Sequence, residues 1–222
     1  MKSALKRLIC LLLTSVALLS LVSCNRRYNE DEVITSAEAL LKKAEVLNEI
    51  YYGRGIQYIT SGYVDGYYYE ADPIHLNSLG FRTIEELKNK TLEVFTYGYA
   101  EEIFNTKLSA IEDETGVQQM TRYYQRYDGP NVLAPICIMV YSKAPVLFKD
   151  KIVYDYDSLR VMGSKKQTVL VEIDATVTNE EGKSQTVTVN LNLIEEDDGW
   201  KIDNPCYANY NDSADKYNEL DK

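Results

Sequence analysis

The chain predicts an α+β fold, N-terminal helices packed on a curved antiparallel sheet, and three patterns predict it. Up to about residue 108 apolar residues recur at helical spacing behind two capping boxes. After Gly116 the apolar period shortens to two. Short turns rich in Asn, Asp, Glu and Gly separate the two-periodic stretches. Helices followed by an antiparallel meander bury their apolar faces most simply when the helices lie on the sheet.

The first helix is expected to begin at Thr35. Thr35-x-x-Glu38 is a capping box, in which each side chain can satisfy a free backbone N–H of the other residue. Ala37, Leu40, Leu41, Ala44, Leu47 and Tyr51 then form one apolar stripe, and Gly53-Arg54-Gly55 ends it. Short tyrosine-dense segments follow, with Tyr58, Tyr63 and Tyr67-Tyr68-Tyr69 around the hairpin signal Asp65-Gly66. A second box, Thr83-x-x-Glu86, opens a helix expected to run to about Phe95, with Ile84, Leu87, Thr91, Val94 and Phe95 inward. Thr96 can cap a third helix carrying Ala100, Ile103, Phe104 and Leu108, although Gly98 weakens its first turn.

The strands are predicted next. Val132–Tyr141 is apolar but holds Pro135, which suits an edge or interrupted strand. Ile152–Tyr156 and Leu159–Met162 read as two short strands. The clearest signal is a long hairpin. Val169, Val171, Ile173, Ala175 and Val177 alternate with polar residues, Asn179–Gly182 turns the chain, and Val187, Val189, Leu191 and Leu193 repeat the alternation. Glu196–Gly199 makes another turn before a last strand at Trp200-Lys201-Ile202.

Ahead of the domain stands a secretory signal. Lys2, Lys6 and Arg7 precede Leu8–Val22, a charge-free run of 15 residues, short of the roughly 20 that span a bilayer as a helix. It ends in Leu21-Val22-Ser23-Cys24, which looks like a lipobox, with the polar Asn25-Arg26-Arg27 directly after it. In proteins with that motif the cysteine thiol carries a diglyceride and cleavage falls just before it, which makes the product membrane-anchored. The expected division is a lipoprotein signal peptide (1–23), a lipidated tether (24–34), a single α+β domain (35–207) and a polar tail (208–222). Lipid attachment falls on Cys24, and the expected location is the extracytoplasmic face of the cell membrane.

Composition narrows the function classes. The signal holds three of the 24 basic residues and none of the 34 acidic ones, which leaves a formal charge of −13. Nucleic acid and anionic lipid surfaces select for clustered Lys and Arg, so neither is expected as a docking partner. Cys137 and Cys206 remain after processing, and their spacing admits a disulfide or two buried thiols. His75 is the only histidine, which excludes two-histidine zinc sites, and it sits in an apparent loop, Asp72–His75. No glycine-rich phosphate loop is present, because Gly53-Arg54-Gly55 lacks the third glycine. Asp155-Tyr156-Asp157 and Asp197-Asp198 read as solvated turns rather than calcium loops. No catalytic residue, metal ligand or cofactor is therefore expected. Nineteen tyrosines stand against one Trp and four Phe. A groove lined by Tyr63 and Tyr67–Tyr69 is the sharper reading, and packing at the core–surface boundary is the simpler and preferred one.

A series of short segments resembles the DL-endopeptidase inhibitor family of Gram-positive bacteria, secreted proteins that block peptidoglycan hydrolases. They are Asp65-Gly66 with Tyr68, the helix around Leu87, Val94–Thr96, Ala100–Phe104, Tyr127-Asp128-Gly129, Leu133-Ala134 and Gly199–Ile202, in order across residues 36–203. The Gly-Trp-Lys-Ile ending is also similar to nuclear-transport-factor-like and cystatin-like cone folds, in which a last strand gives an aromatic to the core. The resemblance implies a non-enzymatic inhibitor of a cell-wall hydrolase whose acidic surface fits a hydrolase cleft, with Tyr67, Tyr68, Tyr69, Tyr127 and Asp128 as binding candidates. Lipidation at Cys24 departs from that family, whose members are not all anchored. Two alternatives stand beside it. One is a small-ligand or glycan-binding module that uses the tyrosines. The other is a ketosteroid-isomerase-like enzyme, which needs a carboxylate with a perturbed pKa facing an apolar pocket; Asp174 is the residue to inspect.

Overall fold

The computed structural model describes residues 28–65, 67–108, 111–112, 118–119, 121–126, 137–146 and 149–207. The signal, Cys24, Tyr127, Asp128 and the tail from 208 lie outside the described residues. No helix among the described residues is long and apolar enough to cross a membrane.

Helix α1 (Glu30–Tyr51) starts five residues before Thr35. Asn29 is the cap, its Oδ1 accepting from Asp31 N at 3.2 Å, and Glu30, Asp31 and Glu32 place negative charge at the positive end of the helix dipole. Val33, 1 % exposed, carries the apolar stripe into that added turn. Thr35 instead donates its hydroxyl back to Asp31 O at 2.7 Å, and Glu38 pairs with Lys42. The last part of the expected tether, residues 30–34, is therefore helix. α2 (Pro73–Leu79) occupies what read as a loop, with Asp72 accepting from Ile74 N, Pro in the first turn, and Gly80 closing the end at φ 72°.

α3 (Ile84–Leu92) has the expected capping box, Glu86 N to Thr83 Oγ1 at 3.0 Å and Thr83 N to Glu86 Oε2 at 3.3 Å. It stops short of Phe95 because Val94–Thr96 leave the helix to pair with the last strand. α4 (Tyr97–Lys107) is capped by Thr96, as its position predicts.

The strands are β1 (Tyr58–Asp65), β2 (Tyr68–Ala71), β3 (Ile111–Glu112), β4 (Gln118–Gln119), β5 (Tyr123–Arg126), β6 (Cys137–Tyr141), β7 (Lys151–Lys165), β8 (Thr168–Thr178), β9 (Ser184–Glu196) and β10 (Gly199–Ile202). They divide between two four-stranded antiparallel sheets, ordered β1-β2-β6-β5 and β10-β9-β8-β7, with β3 and β4 as a separate pair. β6 is an interior strand rather than an edge. The strand as described begins at Cys137; the earlier part of the expected stretch, with Pro135, lies outside the described residues. The two short strands expected near 152 and 159 are one, β7, whose register shifts twice against β8. Such bulges bend a strand while keeping it paired.

The α+β class stands, with helices packed against a sheet. In the second sheet Ala175, Ile173, Val171 and Val169 lie opposite Val187, Val189, Leu191 and Leu193, one apolar face spanning β8 and β9. α1 crosses this sheet over β7 and β10. The last strand gives the core Ile202, and its aromatic, Trp200, packs partly buried against that core. Trp200 is only half-buried and meets Tyr28 edge-on at 5.0 Å. Ile202 N donates to Val94 O at 2.9 Å and Ile202 O accepts from Thr96 N at 3.0 Å, which ties the α3–α4 corner to the sheet.

Candidate functional site

The strand β2 separates the three expected tyrosines by its alternation. Tyr68 is 7 % exposed, packs on Tyr124 and Tyr141, and donates to Thr121 O at 2.8 Å. Its ring and hydroxyl are both engaged within the fold. Tyr69 projects from the opposite face, and Tyr67, 42 % exposed, sits in the turn before the strand with its ring edge-on to Tyr141 at 6.3 Å. Tyr69 stacks on Tyr58 at 4.9 Å, and Lys143 lies 3.7 Å over the Tyr67 ring. These rings cover one another, so the patch is mostly self-satisfied. Tyr127 and Asp128 lie outside the described residues.

The other sequence candidates resolve into structural roles. His75 is in the first turn of α2, half-buried, and its Nδ1 accepts from Gln57 N at 2.9 Å. Cys137 and Cys206 are free thiols, and burial pushes the Cys206 thiol up to about 12, so it stays protonated and unreactive. Asp155 and Asp157 sit within β7 rather than in a turn. Asp198 pairs with the buried Lys201 at 2.8 Å, while Lys201 also donates to Leu92 O at the C-terminal end of α3. Asp174 faces outward, bonded by Thr188 and Arg160, and those bonds hold its carboxyl below the usual range. A general base of the cone-enzyme type needs the opposite shift.

A further concavity lies elsewhere. A cleft of about 400 Å³ runs between the C-terminal half of α1 and the start of β7. Glu45, Asn48 and Glu49 line it from the helix, Arg54 from the turn beyond, and Lys149 and Lys151 from the facing segment. The helix end is held firmly. Tyr123 donates to Ile50 O at 2.7 Å and accepts from Ile56 N, while the buried Arg122 donates to Gly53 O at 2.6 Å, Pro145 O at 2.9 Å and the Tyr123 hydroxyl at 3.0 Å. The guanidinium thus fixes the turn two residues past the helix, while the Tyr123 hydroxyl meets one of the last helix carbonyls.

Behind the cleft lies a polar layer. Tyr154 donates to Cys206 O at 2.9 Å, and Tyr156 donates to Glu45. Asn48 is 3 % exposed and donates through Nδ2 to Cys206 Sγ at 3.4 Å. Its Oδ1 is buried and accepts no hydrogen bond among the described residues. The signal for this site was in the sequence. Asn48 stands at the 3–4–3 spacing of Leu41, Ala44 and Tyr51, a polar residue inside the apolar stripe.

No protein-family model matches the chain, and no curated protein is similar to it at a significant level. The resemblance to the inhibitor family rests on the residues quoted for it alone.

Proposed function

We propose that the protein is a lipid-anchored, extracytoplasmic binding protein that inhibits a peptidoglycan DL-endopeptidase, held to the membrane through Cys24 and needing no cofactor. The observation that carries this reading is the ordered resemblance across residues 36–203. The geometry adds a suitable presenting element. The β8–β9 hairpin ends in an exposed, tightly bonded turn, with Asn179 Oδ1 accepting from Glu181 N at 3.0 Å and Lys183 N at 2.9 Å. Gly182, at φ 79°, completes it. The turn presents Glu180 and Glu181 on a preformed scaffold, which lowers the ordering cost of docking. The core beneath is filled by Ile173, Leu191 and Leu193, all fully buried.

Titrating the catalytic domain of a DL-endopeptidase with residues 25–222 tests this. A one-to-one complex is expected, with association slowed at high salt as the Debye length falls from about 10 Å at 0.1 M to about 3 Å at 1 M. The double reversal Glu180→Lys and Glu181→Lys, remote from the core, should weaken it at least ten-fold. No complex with several such hydrolases would overturn the reading.

A further inference from the structure

The cleft between α1 and β7 carries charges of both signs around a buried amide with an unmet acceptor. Glu45, Asn48 and Glu49 are neighbours on one helix face, since positions three and four apart stand one above the other. Arg54, Lys149 and Lys151 supply three cations from the two segments that close the cleft, against the single carboxylate of Asp150 on that side. A ligand with one charge would satisfy half of this lining and oppose the other half. One with an ammonium at one end and a carboxylate at the other matches both.

Asn48 points to the same chemistry independently. Its Nδ2 is engaged by Cys206 Sγ at 3.4 Å, and its Oδ1 accepts nothing among the described residues although the residue is 97 % enclosed, being 3 % exposed. A buried acceptor without a donor costs a fold free energy that an apolar side chain would not. Such a residue makes sense at a place where a donor arrives from outside. The Cys206 carbonyl beside it is already bonded by Tyr154 at 2.9 Å. About 400 Å³ suits a molecule of one or two amino-acid residues.

We propose that this cleft is a binding site for a small zwitterionic peptide or amino acid, its ammonium toward Glu45, Glu49 and Asn48 Oδ1 and its carboxylate toward Arg54, Lys149 and Lys151. The site is separate from the β8–β9 turn, so it stands or falls independently of hydrolase inhibition.

Calorimetric titration of residues 25–222 with the dipeptide alanyl-alanine tests it, beside the N-acetylated and the C-amidated forms. The free dipeptide should bind, and blocking either end should weaken binding at least ten-fold. Arg54→Ala and Glu49→Ala, both at exposed positions on the rim, should weaken the free dipeptide ten-fold while thermal unfolding confirms the fold. Asn48→Leu should abolish binding with the fold retained. Equal binding of free and blocked dipeptides, binding indifferent to Arg54 and Glu49, or no binding of the free dipeptide by the folded wild-type chain would each overturn the proposal.

Discussion

Residue by residue, the tyrosine-rich composition turns out to be mainly a packing device. Tyr51 shares a hydrogen bond with Thr91 at 2.9 Å, Tyr123 holds the end of α1, and Tyr154 bonds the Cys206 carbonyl. Each ring fills core volume while its hydroxyl meets a polar group that the core would otherwise strand. Burial raises the pKa of all three phenols and of the Cys206 thiol. In the unfolded chain a thiol titrates near 9 and a phenol near 10. Above those values the unfolded state has released protons that the native state still holds, so stability falls as pH rises. This contribution is fully present below pH 9 and is lost progressively above it. Tyr154→Phe removes one such group. Its denaturant stability should fall less steeply than wild type between pH 10 and 11, by about 1 kcal/mol. Parallel curves over that interval would show that Tyr154 titrates normally in the fold.

At the level of elements, what was legible depended on whether the signal was local. Thr83 with Glu86, Thr96, and the β8–β9 alternation all lie where the sequence puts them, since a cap or a period needs only its own neighbours. The start of α1 was missed because two caps competed. Thr35-x-x-Glu38 has the better motif, yet Asn29 followed by three acidic residues and Val33 wins by adding an apolar turn to the buried stripe. The split of the strands into two sheets, the interior place of β6 and the bulged continuity of β7 depend on pairings distant in sequence, which no local pattern encodes. The cleft was missed for the same reason, although Asn48 in an apolar stripe marked one wall. The cap assignment is testable by contrast. Asn29→Ala should cost about 1 kcal/mol of stability, as loss of an N-cap does. Thr35→Ala, mid-helix, should cost less than about 0.5 kcal/mol, because alanine is the better helix former. A larger loss at Thr35 than at Asn29 would return the helix start to the capping box.

For the whole molecule, the last strand is the element that holds the helices and the second sheet together. β10 joins the two halves of the architecture: Ile202 fills the core under α1 while its backbone pairs with Val94 and Thr96, and Lys201 closes α3 from the other side. The hydrogen-bonded β8–β9 turn then stands on a sheet that α1 braces from one face. Such a body suits binding a partner without internal rearrangement. Its net acidity suits a partner whose cleft is basic or receives anionic wall peptide. The most direct test is the rate at which a DL-endopeptidase digests purified peptidoglycan in the presence of residues 25–222. Digestion should slow at near-stoichiometric concentration and recover as salt rises. Unchanged digestion by several such hydrolases, with the domain shown to be folded, would contradict it.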